Sequence, residues 1–284
     1  MKRLLLCTDG SAYSGVACQY AAWVAKRTRA HVNALYVSDL RSYEAPFLMD
    51  LGASLGASPY TAVIGQLEEI EKQKAQLISD YTDRVFADAG IPDALDFHHE
   101  TGLLVDVVED FEQGEHGIDL VVMGKRGEGA ESAQDHLGHN LERVVRASRQ
   151  PCLVTNREFR ELKRVVFAYD GGESCLKVLD WLVRSSLLKG LDLHVVSVGE
   201  GHGKGEASAH LKEALNALAV GGIQAHPQVL TGDVEDSIED YVTQNHADLL
   251  VMGAYGHSRI RHLIIGSTTR ELIRRCHIPV LLYR

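Results

Sequence analysis

The run Gly253-x2-Gly256-x9-Gly266, followed at once by Ser267 and Thr268, is a grouping suited to holding a polyphosphate. Glycines placed after a strand allow positive φ and let backbone N–H groups approach a ligand with no Cβ in the way. Gly266-Ser267-Thr268 then opens a stretch expected to be helical from Thr269 to Cys276. The first N–H groups of such a helix have no partner within it and favour an anion. Between the two glycine turns, Ser258-Arg259-Ile260-Arg261-His262 adds positive charge fit for a di- or triphosphate. A plainer reading stands beside this one. Thr268 would be an N-cap, Glu271 three residues later would complete a capping box that satisfies the same donors, and Arg259 and Arg261 would be solvated surface charges.

The first half of the chain carries the same arrangement in eroded form. Gly124-x2-Gly127 survives, but Gly138 follows after ten residues, and His139-Asn140 stands where the hydroxyl pair should be. Its loop holds Glu128, Glu131 and Asp135, carboxylates that repel a polyphosphate, offset in part by Lys125 and Arg126. Losing both helix-start hydroxyls removes hydrogen bonds worth about 1.5–3 kcal/mol each when the partner is charged.

The elements that must carry these loops are duplicated too. Arg3-Leu4-Leu5-Leu6-Cys7-Thr8-Asp9-Gly10 matches Arg164-Val165-Val166-Phe167-Ala168-Tyr169-Asp170-Gly171 at an offset of 161 (164 minus 3), and Val32 to Val37 matches Leu193 to Val198 at the same offset. Later, Asp119 to Gly124 matches Asp248 to Gly253 at 129, and Pro151 to Val154 matches Pro279 to Leu282 at 128. The shrinking offset leaves about 33 extra residues (161 minus 128) in the first half, an insertion that includes Arg41 to Gln66. A repeat this long is a domain duplication rather than a solenoid. With the boundary in the polar stretch Thr155 to Lys163, the expected domains are 1–156 and 163–284.

Within each half, short Val and Leu runs alternate with stretches of helical period, such as Leu67, Ile70, Leu77, Tyr81 and Val85, or Leu211, Leu215 and Leu218. Strands apolar on both faces and separated by helices imply βαβ units on a parallel sheet. The expected fold is therefore α/β: two tandem, doubly wound, five-stranded parallel-sheet domains of Rossmann-like type. In such sheets ligands sit beyond the carboxyl ends of the strands, where the strand order reverses. If strands 1 and 4 are neighbours there, Asp170 and Gly253 face one crevice.

The whole composition bounds the function. A formal net charge of −10 on 284 residues argues against a broad nucleic-acid footprint, so any anion site is local. The apolar start Leu4-Leu5-Leu6-Cys7 ends at Thr8-Asp9-Gly10, too short for a signal peptide, and no apolar run is long enough for a membrane span, so a cytoplasmic protein is expected. Five scattered cysteines without a CxxC pair fit reduced core thiols.

With the Asp-Gly after strand 1 in both halves and the G-x2-G-x9-G-S/T loop in the second, the chain resembles the universal stress protein family in its tandem form. The resemblance implies ATP in the second domain. Asp170 and the backbone of Val198 would flank adenine, Gly253 beside Met252 would approach the ribose, and Gly256, Gly266, Ser267 and Thr268 would hold phosphates, with Arg259 nearby. A divalent cation such as magnesium could accompany them, although no residue specifies its ligands. In the first half, Asp9, Gly124, Gly127 and Gly138 form the degenerate counterpart, expected to bind nucleotide weakly or not at all. Single-domain members pair through strand 5, so Cys152 to Val154 and Val280 to Leu282 would form an intramolecular pseudo-dimer covering an apolar edge, with a further homodimer and protein partners left open.

The function implied is regulatory, a nucleotide-dependent stress-response module. The chain lacks a P-loop G-x4-G-K-[ST], and no nucleophile or base is evident, although slow ATP hydrolysis is compatible with the site. Three rivals are weaker. Asp170-Gly171-Gly172-Glu173-Ser174 loosely resembles the loop of ATP pyrophosphatases, but its acidic and serine positions do not match. Thr8-Asp9-Gly10-Ser11 resembles a haloacid-dehalogenase motif, but Cys7 stands at the nucleophile position. A protein-binding scaffold with a vestigial nucleotide site is the third. His136 and His139 with Asp135 read better as surface loop than as a metal site, and the adjacent His98 and His99 would point to opposite faces of a strand. The apolar Pro46-Phe47-Leu48-Met49 reads either as a lid over the first site or, more plainly, as a cover for core.

Overall fold

The computed structural model describes residues 1–39, 57–114, 117–127, 137–199, 204–254 and 266–284. The first half contains β1 (Arg3–Cys7), α1 (Ala12–Thr28), β2 (His31–Ser38), α2 (Ala57–Asp88), β3 (Leu95–Thr101), α3 (Leu104–Gln113), β4 (Leu120–Gly124), α4 (His139–Ala147) and β5 (Cys152–Thr155). The second half follows the same order: β6 (Arg164–Ala168), α5 (Glu173–Arg184), β7 (Asp192–Gly199), α6 (Lys204–Val220), β8 (Ala225–Thr231), α7 (Val234–Gln244), β9 (Leu249–Gly253), α8 (Ser267–Arg275) and β10 (Val280–Tyr283).

Among the described residues the strands form one ten-stranded sheet in the order β3-β2-β1-β4-β5-β10-β9-β6-β7-β8. Each half is a parallel five-stranded sheet, as expected, and the halves join where β10 runs antiparallel to β5. Val154 lies opposite Val280, Leu153 opposite Leu281 and Cys152 opposite Leu282, and all six side chains are buried. Burying a side chain of this kind is worth about 1.5–3 kcal/mol relative to leaving it in water. An unpaired strand this apolar would also be a template for aggregation, and the two strand-5 edges cover one another. The outer edge of the second half is β8, which carries Pro227, a residue with no ladder N–H to offer.

Alternate residues of each strand feed opposite faces. Leu4, Leu6, Val165, Phe167, Leu153 and Leu281 share one core with α1, α2, α5 and α6. Leu5, Cys7, Val166, Val154 and Val280 share the other with α3, α4, α7 and α8. Both cores run through the joint between the halves, so the tandem pair is doubly wound over one continuous sheet.

Within the insertion, residues 57–66 form the first turns of α2. Ile78 of α2 sits against Gly10 as His210 of α6 sits against Gly171, yet 21 helical residues (57 to 77) precede the first and six (204 to 209) the second. The inserted chain thus lengthens a helix at the carboxyl end of the sheet. The helix expected from the period of Leu67, Ile70, Leu77, Tyr81 and Val85 is present. Ile70 is 57% exposed and Leu77 69%, whereas the side packed on the sheet is Ala75, Ile78, Thr82 and Phe86. The packed side therefore includes the small Ala75 and Thr82, while Ile70 and Leu77 stand among charged and polar residues on the exposed side. Pro46 to Met49 lies outside the described residues.

Candidate functional site

The strand order reverses between β1 and β4 in the first half and between β6 and β9 in the second. Ala168 pairs with Met252 on one side and with Val196 on the other, so the residues just beyond them, Asp170, Gly253 and Val198, emerge from three adjacent strands at one level. The adjacency of strands 1 and 4 expected from sequence is therefore present in the second half. Asp170 shapes the turn that follows. Its Oδ1 accepts from the Gly172 N–H at 2.8 Å, and Gly171 takes φ of 72°, a left-handed conformation that favours glycine. Asp9 does the same in the first half, its Oδ1 accepting from the Ser11 N–H at 3.0 Å with Gly10 at φ 79°. The turn-forming role of Asp-Gly is therefore realised in both halves.

Gly253 is required by crowding. A Cβ there would lie 3.0 Å from the Ser174 Cβ and 3.1 Å from the Cys175 nitrogen, at the start of α5. Beyond it, Gly266 is the N-cap of α8, with no side-chain cap hydrogen bond and no acidic residue in the first turn. This overturns the capping-box alternative and shifts the helix start by two residues, since Ser267 and Thr268 are the first two helical residues. Glu271 falls at the fifth helical position, out of reach of a reciprocal cap, and accepts instead from Arg274 Nη2 at 2.6 Å and Nε at 3.1 Å. Among the described residues no side chain caps the first N–H groups of α8, the groups that in a helix favour an anion.

Thr269, which the sequence reading passed over as a ligand-loop residue, fastens the two turns together. It is buried, and its Oγ1 donates to the Ala254 carbonyl at 3.2 Å, with the Gly253 carbonyl at 3.4 Å. The signal was present as a third hydroxyl in the run Ser267-Thr268-Thr269. Of the remaining candidates, Gly256, Arg259 and Arg261 lie outside the described residues, as do Glu128, Glu131, Asp135 and His136.

The first half differs in ways the sequence only partly indicated. Gly138 is the uncapped N-cap of α4, followed by His139 and Asn140, and its N–H donates to the Lys125 carbonyl at 3.3 Å. Glu142 stands in the first turn of α4. Gly124 is crowded by Tyr13, whose Cβ would lie 2.8 Å from an added Cβ. Gly127 meets Asp9, whose Oδ2 would be 2.6 Å from one, so the strand-1 carboxylate rests against this loop. The expectation that Lys125 offsets the loop carboxylates is wrong. Its side chain is buried, 7% exposed, and reaches into the second half, where Nζ donates to the Arg274 carbonyl at 2.9 Å. Burial outweighs exposure here because the C-terminal end of α8 supplies carbonyls that an ammonium satisfies.

His98 and His99 part as expected: His98 pairs with Asn33, and His99 with Ser38. Among the described residues no group of three His, Cys, Asp or Glu side chains is arranged to hold a metal ion. All five cysteines are free and buried, and burial pushes the thiols up, to about 12 at Cys18 and Cys152 and about 11 at Cys276. No described helix is long and apolar enough to cross a membrane.

Comparison with known proteins agrees with this architecture. A model of the Universal stress protein family matches residues 1–156 and again residues 161–284. The chain is 42% identical over 291 residues to Universal stress protein Slr1230 of Synechocystis, covering 100% of both chains. Among solved structures it is similar to a universal stress protein from Archaeoglobus fulgidus, with a TM-score of 0.70 at 22% identity, covering 99% of this chain and 96% of that one. It is also similar to PA1789 of Pseudomonas aeruginosa, described as functionally unknown, with a TM-score of 0.63 at 16% identity and coverage of 100% and 92%.

Proposed function

The chain belongs to the universal stress protein family, with two such domains in tandem, and on that premise we propose that its second domain binds ATP and that the protein acts as a nucleotide-dependent regulatory module. One observation carries the reading: among the described residues the head of α8 has neither a side-chain cap nor an acidic residue in its first turn, and Thr269 ties it to the end of β9 beside Gly253. A helix start offers a triphosphate backbone donors and a favourable dipole. Ser267 and Thr268 add hydroxyls at the same end. Asp170 and Val198, at the ends of the two strands beyond β9, border the place for the base, with Met252 and Gly253 toward the sugar and Gly256 and Arg259 assigned to the phosphates by their motif positions. A magnesium ion, if it accompanies the nucleotide, is held by the phosphate oxygens rather than by a carboxylate of the described first turn.

The role assigned is binding and signalling rather than turnover. In the first domain, Glu142 in the first turn of α4 and the missing hydroxyls disfavour a polyphosphate, and we assign that domain little or no nucleotide affinity. Titration calorimetry with Mg-ATP is the test, with one nucleotide per chain expected. Two equal sites would refute the asymmetry, and no heat with a folded sample would refute ATP binding. Mass spectrometry of gently denatured protein offers a second check, with co-purified ATP expected. An ordinary enzymatic rate of ATP turnover abolished by Ser267→Ala would overturn the regulatory reading.

A further inference from the structure

We infer that Lys125 is a positioning residue for the phosphate-binding helix of the other domain: the degenerate loop of the first half has become a clamp on the C-terminal end of α8. The inference rests on the reading that the N-terminal end of α8 holds the triphosphate. Lys125 directly follows Gly124, the last residue of β4, in the place where a nucleotide loop begins. Its Nζ donates to the carbonyls of Arg274 at 2.9 Å and Cys276 at 3.3 Å, and Asn156 Nδ2 donates to Cys276 at 3.3 Å and Ile278 at 2.7 Å. Carbonyls at the end of a helix have no partner within it, and a buried lysine is the charge-complementary way to satisfy them. A third link, Arg270 Nε to Glu142 Oε1 at 3.2 Å, joins the first turn of α8 to α4.

With nine residues, α8 is about 13 Å long. A helix so short moves as one body, so what fixes its tail also sets its head against Gly253. The clamp is one-sided. In the second half, the residue after Gly253 is Ala254, and the C-terminal end of α4 is reached instead by Arg284, whose Nη1 donates to the Arg146 carbonyl at 2.5 Å.

The environment of the lysine makes the clamp testable without mutation. Burial lowers its pKa to about 8, with Arg126 and Arg274 pushing the same way and Cys276 opposing them. Between pH 7 and 9 the ammonium therefore loses its charge and one of its donors. The experiment measures ATP affinity by calorimetry over that range for the wild type, Lys125→Met and Lys125→Gln, with hydrogen exchange of the α8 amides recorded alongside. The expected result is wild-type affinity that declines with a midpoint near pH 8. Lys125→Met should bind roughly 2- to 30-fold more weakly at pH 7, with a flat profile, and Lys125→Gln, which keeps one donor pair, should fall between. Exchange at the head of α8 should quicken in Lys125→Met while α4 stays unchanged. Superimposable pH profiles, or unchanged exchange in α8, would overturn the clamp. If the wild type binds no ATP, the nucleotide reading fails on its own and the exchange measurement still decides the clamp. If Lys125→Met does not fold, the wild-type pH profile decides it.

Discussion

Replacing Ser267 and Thr268 together by alanine separates ligand binding from stability at one site. Ser267 is exposed and Thr268 half-buried at the first two positions of α8, and neither side chain caps the helix, whose N-cap is Gly266. In the first half, α4 opens in the same way, with an uncapped glycine followed by no hydroxyl, and still forms nine residues of helix. The fold therefore does not depend on the pair, and the substitution should change stability by no more than about 0.5 kcal/mol, the range for surface positions without special contacts. A bound triphosphate does depend on it in the proposed geometry. Two hydrogen bonds to a charged partner, worth about 1.5–3 kcal/mol each, amount to about 3–6 kcal/mol, or two to four orders of magnitude in affinity at about 1.4 kcal/mol per tenfold. Calorimetry with Mg-ATP and thermal unfolding of the same samples read the two quantities separately. Affinity within twofold of wild type, with the protein folded, would refute the assignment of these hydroxyls. A fall in affinity matched by an equal fall in stability would show that they serve the fold instead.

Gly253→Ala should destabilise the protein by about 1–3 kcal/mol through overpacking, since the new Cβ meets Ser174 and Cys175; chemical denaturation measures it, and an unchanged midpoint would mean that α5 shifts freely. On α2, Phe86→Ala should cost about 3–5 kcal/mol, while Leu77→Gln should change stability by less than about 0.5 kcal/mol, because one side chain is fully buried and the other 69% exposed. Leu281→Ala, at the joint of the two halves, should cost about 2–5 kcal/mol, and a single unfolding transition is expected to persist because both cores cross that joint. The thiols predict an alkaline limit. Burial holds their folded pKa values above the ordinary thiol range, at about 12 for Cys18 and Cys152 and about 11 for Cys276. Below pH 9 they leave stability unchanged, and as pH rises from 9 the unfolded state ionises first, so stability falls by up to about 1.4 kcal/mol per pH unit for each thiol. Denaturation midpoints that stay level between pH 9 and 10.5 would contradict that burial.

The layout of the sheet was legible because duplication doubled each signal. The strand Leu4-Leu5-Leu6 and its counterpart Val165-Val166-Phe167 are apolar on both faces, which excludes a solvated face and forces helices onto both sides. The adjacency of β1 with β4 and of β6 with β9, which brings the ends of the strands before Asp170 and at Gly253 side by side, follows from that topology. The start of α8 was misplaced for a different reason. Ser267, Thr268 and Thr269 are all acceptable N-caps by residue type, and only the backbone decides that Gly266 takes the role. The buried side of α2 was hidden because close approach to β2 and β3 selects Ala75 and Thr82, while Ile70 and Leu77 repeat on the other side of the same helical period. Lys125 was misassigned because its local sequence describes a loop residue among carboxylates. Its partners, the carbonyls of Arg274 and Cys276, are 149 and 151 residues away and belong to the backbone, which leaves no mark in residue type.

That last contact bears on why the two halves share one chain. In a pair of identical domains joined through strand 5, a lysine after strand 4 would clamp the last helix of each partner. Any side chain recruited to the neighbour would then be lost from both nucleotide loops at once. Fusion removes the constraint, since Lys125 and Ala254 hold matching places and are free to differ. The half whose loop reaches across has His139 and Asn140 at its own helix start, and the half whose helix is held has Ser267 and Thr268 there. Asn156 and Arg284, which hold matching places at the ends of β5 and β10, have likewise diverged, one binding two carbonyls beyond α8 and the other one carbonyl of α4. Placing Ser and Thr at positions 139 and 140 is not by itself expected to create a nucleotide site in the first half, because Lys125 stays committed to α8 and Asp9 stays against Gly127.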